Sequence, residues 1–240
     1  MYLKMSKSSR RLRTPIAAKG MVKRAIQEEW RIKYIDTLIS NKCALFSGFV
    51  RTSSMKQRSL IKSQIIQAWN RCISEDYCAQ RINSERSLQA SFWSHLSQLL
   101  SKNRRLFIEP GISIRTKNGP KTFVPDIVVC NTREVISIIE LKYLPRTQPR
   151  YKKDIESLSL IAENRHQIIV ANDRFRGAEK DSNKYSLSKD ILFVWAGVHA
   201  KEKTETSALY SAGHKSLDDC YLQLHAVTVN NSKPNVLQRK

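Results

Sequence analysis

Three charged residues stand inside stretches that otherwise read as buried strands. Asp126 lies in Val124–Pro125–Asp126–Ile127–Val128–Val129, and Glu140 and Lys142 lie in Ile138–Ile139–Glu140–Leu141–Lys142–Tyr143. Burying such groups is costly unless they are paired or hold a cation. Side chains alternate along a strand, so Glu140 and Lys142 share one face while Ile139, Leu141 and Tyr143 take the other. A neighbouring strand joined by a tight turn can present Asp126 beside Glu140. Two carboxylates and a main-chain carbonyl, for which Leu141 is placed, are the hard oxygen donors that magnesium or manganese prefers. An ion held there would neutralise charge on a phosphate and acidify a water, which Lys142 would position or help deprotonate. The competing reading makes these residues structural, with Glu140 and Lys142 an ion pair on an edge strand and Pro125–Asp126 a strand-entry turn.

The elements that would have to position this trio are legible around it. Ser84 is an N-cap candidate, and Leu88, Phe92, His95, Leu96 and Leu99 mark one face of the helix that follows. Apolar runs over Leu106–Ile114, Phe123–Cys130 and Val135–Leu144 are broken by Asn118–Gly119–Pro120 and Asn131–Thr132–Arg133, which predicts a three-strand meander. A helix is expected from Tyr151 to Asn164, with Ile155, Leu158 and Ile161 on one face. Strands are expected at Gln167–Ala171, Ile191–Val198 and Tyr221–Val229, with a polar, basic loop around Arg174–Lys189. His95 reads as a helix-face residue, and Phe193 and Trp195 as core.

Upstream, residues 1–19 read as a basic arm. Two amphipathic helices follow, one through Val22, Ile26, Trp30, Tyr34 and Leu38 and one through Leu60, Ile61, Ile65, Trp69, Cys72 and Ile73. Both fit packing against the neighbouring domain as well as contact with a polyanion. The division expected is therefore a basic helical region over 1–81 and an α/β domain over 82–240.

Charge supports a polyanionic partner. The 240-residue chain carries 42 Lys and Arg against 21 Asp and Glu, a formal net charge of +21. Residues 1–81 hold 17 basic and five acidic residues, so the excess is concentrated there. Nucleic acid is the first candidate for such an excess and an anionic membrane surface the second. No apolar run is long enough to span a bilayer. The Ser/Lys/Arg-rich opening, whose first acidic residue is Glu28, also fits a transit peptide, but the basic bias continues well past it. Five scattered cysteines without a C-x-x-C pair argue for free thiols in a reducing compartment and against a zinc site. A cytoplasmic protein is expected, nucleoid-associated if bacterial.

Pro125–Asp126 and Glu140–Leu141–Lys142 together resemble the PD-(D/E)xK nuclease superfamily, and the likeness covers about residues 84–173. It implies a restriction-endonuclease-like α/β core (helix, three-strand meander, helix, strand; a mixed sheet flanked by helices) behind the basic N-terminal region. It further implies a metal-dependent nuclease, an endonuclease by preference, acting on DNA in preference to RNA, in a homodimer or larger assembly. In that resemblance Asp126 and Glu140 are catalytic metal ligands and Lys142 is the catalytic lysine. Glu85, on the preceding helix, would be a third carboxylate ligand, or else a first-turn acid favoured by the helix dipole. Gln148 and Tyr151 are three apart and precede the helix, which departs from the exonuclease branch, where the pair is four apart on it. Arg146, Arg150, Lys152 and Lys153 cluster after the lysine strand and could clamp phosphates, Lys153 being best placed to face the metal. The alternative is a nucleic-acid-binding or assembly subunit on the same fold without catalysis.

Overall fold

The computed structural model describes residues 53–116, 119–171, 173–200, 209–228 and 234–239. The predicted basic arm and the helix over 22–39 lie outside them. Residues Arg51–Lys240 form one compact unit.

Strand formation follows the apolar runs, with two corrections. The run over Phe123–Cys130 is not one strand: Phe123 ends one, the next starts only at Ile127, and Asp126 lies in a bend just before it. The run over Leu106–Ile114 is two strands, β1 (Arg105–Ile108) and β2 (Ile112–Thr116). Between them Glu109 takes a left-handed backbone (φ 50°) ahead of Pro110 and Gly111, and the chain turns away. β2 pairs instead with β3 (Gly119–Phe123) as a separate hairpin. The meander then continues through β4 (Ile127–Cys130) and β5 (Glu134–Leu144), so that β1, β4 and β5 are successive antiparallel neighbours.

The helix over Lys152–Glu163 (α3 below) starts after Tyr151 and ends at Asn164, as its spacing predicts. It leads into β6 (Ile169–Ala171). The stretch expected as a polar loop is more ordered than its composition suggests. It contains the hairpin of β7 (Arg174–Arg176) and β8 (Glu179–Asp181) and the start of β9 (Lys184–His199). Cross-strand ion pairs Arg174–Asp181 and Arg176–Glu179 link the two strands, where apolar residues are few. β10 (Tyr221–Val227) and the edge strand β11 (Asn235–Arg239) complete the sheet, whose order is β1-β4-β5-β9-β10-β11 with β6 also on β9. β5, β9 and β10 run parallel and the remaining pairs antiparallel, so the sheet is mixed.

Helices cover both faces. Towards one face pack α1 (Ser53–Arg71) and α2 (Glu85–Leu99), which bury Ile61, Ile65, Trp69, Leu88, Phe92 and Leu96 against Ile127, Ile139, Leu141, Val194 and Ala196. Each such apolar side chain contributes about 1.5–3 kcal/mol on full burial. α3 covers the other face, setting Ile155, Leu158 and Ile161 against Val128, Ile138 and Phe193. α1 belongs to this unit rather than to a separate N-terminal region: its Arg58 donates to the carbonyls of Asp190 and Asp219 at 3.1 and 3.0 Å. A single π-helical turn, Cys72–Tyr77, extends α1 towards α2. There Asp76 accepts from Ser91 at 2.6 Å and bonds His95 at 3.0 Å, which makes His95 a clasp between the two helices. Among the described residues no helix is long and apolar enough to cross a membrane.

Candidate active site

Antiparallel register sets Ile127 opposite Ile139, so the residues just outside that pair, Asp126 and Glu140, meet on the α3 face of the sheet. Asp126 is fixed from three directions. Its carboxylate accepts from the Leu141 amide at 2.6 Å, and its carbonyl accepts from Gln89 Nε2 on α2 at 2.9 Å and from the Glu109 amide at 3.1 Å. The left-handed turn at Glu109 that splits the expected first strand is thus what aims an amide at Asp126.

Glu140 lies beside the Asp126 carboxyl across the β4–β5 pair. Burial pushes the Glu140 carboxyl up to about 9, and the adjacent Asp126 and Asp154 charges push the same way. Burial also raises Asp126, to about 6, against the lowering pull of the Leu141 amide and Lys142. Burial and mutual repulsion therefore push both carboxyls of the pair towards the protonated form.

Lys142, on the same face, places its ammonium 3.1 Å from the Leu141 carbonyl, 3.4 Å from Asp154 Oδ2 and 3.7 Å from Glu85 Oε1. Burial alone would favour the neutral amine. The carboxylates of Asp154, Glu85, Asp126 and Glu140 outweigh it and hold the pKa above the ordinary lysine value.

α2 begins at Glu85 because Ser84 and Ser87 form a reciprocal cap, each side chain accepting from the other's amide. Tyr143 ties that helix start to β5 by donating its hydroxyl to the Ile82 carbonyl at 3.0 Å. Glu85 Oε2 in turn accepts from the Tyr143 amide at 3.2 Å. Glu85 thus faces Lys142 and the end of β5. Among the described residues no three His, Cys, Asp or Glu side chains are grouped as a metal cage. The oxygens offered to an ion are the Asp126–Glu140 pair and the Leu141 carbonyl, with Glu85 at their margin.

The basic residues are placed differently from the trio. Arg146, Arg150, Lys152 and Lys153 are all exposed, the first two in the connection after β5 and the others at the start of α3. Of that turn, Asp154 is the residue in contact with Lys142. Gln148 precedes the helix and Tyr151 caps it, the Tyr151 ring stacking on Tyr210 at 3.6 Å between centroids.

Two residues of the site escape a reading of the sequence. Asp154 looks like an ordinary first-turn acid, yet its side chain is only 11% exposed. Trp195 is core, as expected, and its indole N–H also donates to Asp154 Oδ2 at 3.2 Å. The signal for Trp195 is its register: Glu140 pairs with Trp195 and Lys142 with Gly197 across the parallel β5–β9 ladder. That ladder joins segments far apart in the chain, and local patterning does not reveal it.

No protein-family description matches the chain, and no curated protein matches its sequence. Two solved structures share a loose likeness with it. One is NucC of P. aeruginosa ATCC27853 in its cAAA-bound form, at 10% identity over 80% of this chain and 85% of that one, with a TM-score of 0.35. The other is NucC of E. coli MS115-1 in its apo form, at 13% identity over 79% and 85%, with a TM-score of 0.32. A likeness at that level carries no argument about the chemistry of this site.

Proposed function

We propose that this chain is a divalent-metal-dependent nuclease that hydrolyses phosphodiester bonds, with DNA favoured over RNA, on a restriction-endonuclease-like core. The observation that carries the reading is the meeting of Asp126 and Glu140, two half-buried carboxyls side by side across the β4–β5 pair, near the half-buried Lys142 ammonium. A fold has little structural use for two acids brought together away from water, whereas perturbed acid pairs cluster at functional sites.

The donor set fits a hard cation. Mg²⁺ takes few protein ligands, typically one or two carboxylates, and fills the rest of its shell with water and substrate phosphate oxygens. Asp126, Glu140 and the Leu141 carbonyl would hold it, with Glu85 as a further candidate, and Mn²⁺ suits the same oxygens. When bound, such an ion neutralises charge on the phosphate and lowers the pKa of a coordinated water.

The chain's own residues do the rest. Lys142, held as an ammonium, acts as a donor rather than as a base, orienting the attacking water and stabilising charge on the phosphate oxygens. The Leu141 amide keeps the Asp126 carboxylate from swinging away, and Gln89 holds the Asp126 main chain in place. Arg146, Arg150, Lys152 and Lys153 lie where a phosphate backbone could run, and the basic N-terminal residues would add non-specific affinity. A homodimer or larger assembly and a role in defence belong to the same reading.

The test is cleavage of plasmid and linear DNA with Mg²⁺ or Mn²⁺, beside Asp126→Ala and Lys142→Ala. Cleavage that requires both residues supports the reading. Cleavage surviving in both variants places the site elsewhere, and binding without cleavage under either metal favours a non-catalytic nucleic-acid-binding or assembly subunit.

A further inference from the structure

Asp154 has no part in holding an ion in the reading above, yet it is built into the site more firmly than a surface acid. α3 delivers it in its first turn, and a single oxygen, Oδ2, takes both the Trp195 indole N–H at 3.2 Å and the Lys142 ammonium at 3.4 Å. The indole can reach it because β9 has no side chain at Gly197. The Trp195 ring lies over that glycine, with Cζ2 2.9 Å and Cζ3 3.0 Å from where a Cβ would be. Gly197 is the residue in register with Lys142, so the ring runs along β9 towards the position beside the lysine.

We propose that Asp154, anchored by the Trp195 indole, is the positioning residue that keeps the Lys142 ammonium beside the Asp126–Glu140 pair. The inference rests on the nuclease reading and adds to it a residue that the sequence motif does not contain. The other two neighbours of the ammonium are the Leu141 carbonyl and Glu85. Those are the oxygens that the bound ion would draw on, and Glu85 is the more exposed of the two acids (44% against 11%). With them engaged, Asp154 is the partner left to the lysine. A four-carbon ammonium stem without a partner samples many rotamers, and a displacement of about 1 Å at a reacting centre costs about 10²-fold in rate.

The experiment uses the full chain, linear DNA and Mn²⁺. Asp154→Asn keeps the size and an acceptor oxygen for the indole but removes the charge. Its kcat should fall about 10²-fold with KM and the Mn²⁺ dissociation constant, read by calorimetry, each within about threefold. Asp154→Glu should recover part of the loss. Trp195→Phe, which keeps the ring packing and releases the carboxylate, should lower kcat by about tenfold. In the metal-free protein, the Trp195 indole N–H resonance, identified by its absence in Trp195→Phe, should move in Lys142→Met. Wild-type kcat in Asp154→Asn, a loss of Mn²⁺ affinity parallel to the loss of kcat, or an indole resonance blind to Lys142→Met would each overturn the positioning role. A wild-type chain inert with both metals would overturn the nuclease reading and this role with it, and is recognised by having no activity for a variant to lose.

Discussion

Trp195 lies flat across Gly197, its indole filling the space that any larger residue at 197 would need. Two positions of one strand are therefore a single packing unit, and that unit borders Glu140 and Lys142 on the adjacent strand. Gly197→Ala must push the ring aside or shift β9. It should cost about 1–3 kcal/mol in urea unfolding, the usual range for overpacking a full core. Activity should fall by more than this loss of folded protein accounts for.

The acid pair strains the ion-free protein. The Glu140 carboxyl has its pKa raised above the unfolded value, so its contribution is fully present below about pH 4.5 and is lost as pH rises towards about 9. Glu140→Gln removes the titration and the repulsion. In EDTA at pH 8 this variant should unfold about 2–4 °C above wild type, equivalent to about 1 kcal/mol, while cleaving nothing. A lower melting temperature at pH 8 than wild type would show that the pair is not strained.

Acid should unfold the chain partly through His225. Burial, together with the nearby His199 and Arg239, depresses this imidazole to about 3 from the ordinary 6.5, and it is fully buried between His199 and Gln223. The unfolded chain binds that proton more readily than the folded one between those values. Stability from this group is therefore complete above about pH 6.5 and declines as pH falls towards about 3, with a slope of at most about 1.4 kcal/mol per pH unit. Denaturant midpoints taken from pH 7 to pH 4 test it, and His225→Gln should flatten the curve.

DNA affinity should be strongly salt-dependent. Replacing Arg146, Arg150, Lys152 and Lys153 together by Ala should reduce the slope of log K against log salt by about 0.9 for each phosphate contact removed. A slope unchanged by the quadruple variant would assign the phosphate contacts to other basic residues.

What the sequence revealed of this site was whatever local rules govern. Asp126, Glu140 and Lys142 stand out because charge inside an apolar run is expensive, although Asp126 lies in the bend before β4 rather than within it, and alternation alone puts Glu140 and Lys142 on one face. Ser84 was legible as a cap because few residue types can satisfy the first amides of a helix. The division between β1 and β2 was written in Glu109–Pro110–Gly111, although flanking apolar residues on both sides made one continuous strand the natural reading. Asp154 and Trp195 were not legible as partners, since their meeting depends on how α3 lies on a sheet whose parallel pairing joins segments far apart in the chain. The β7–β8 hairpin was hidden for another reason: charge pairs hold it, and period-2 hydrophobicity is absent.

β9 breaks step once. Val135 pairs with Leu187 and Ser137 with Leu192, so β9 spends five positions where β5 spends two. The Ser137 hydroxyl clamps the Leu192 carbonyl at 2.8 Å, and Arg58 of α1 takes the Asp190 carbonyl within the slack. Length changes upstream, around β7 and β8, can therefore be absorbed before Leu192 without sliding Trp195 relative to Glu140. The outer hairpin is free to diversify in evolution while the alignment of the inner strands stays as it is.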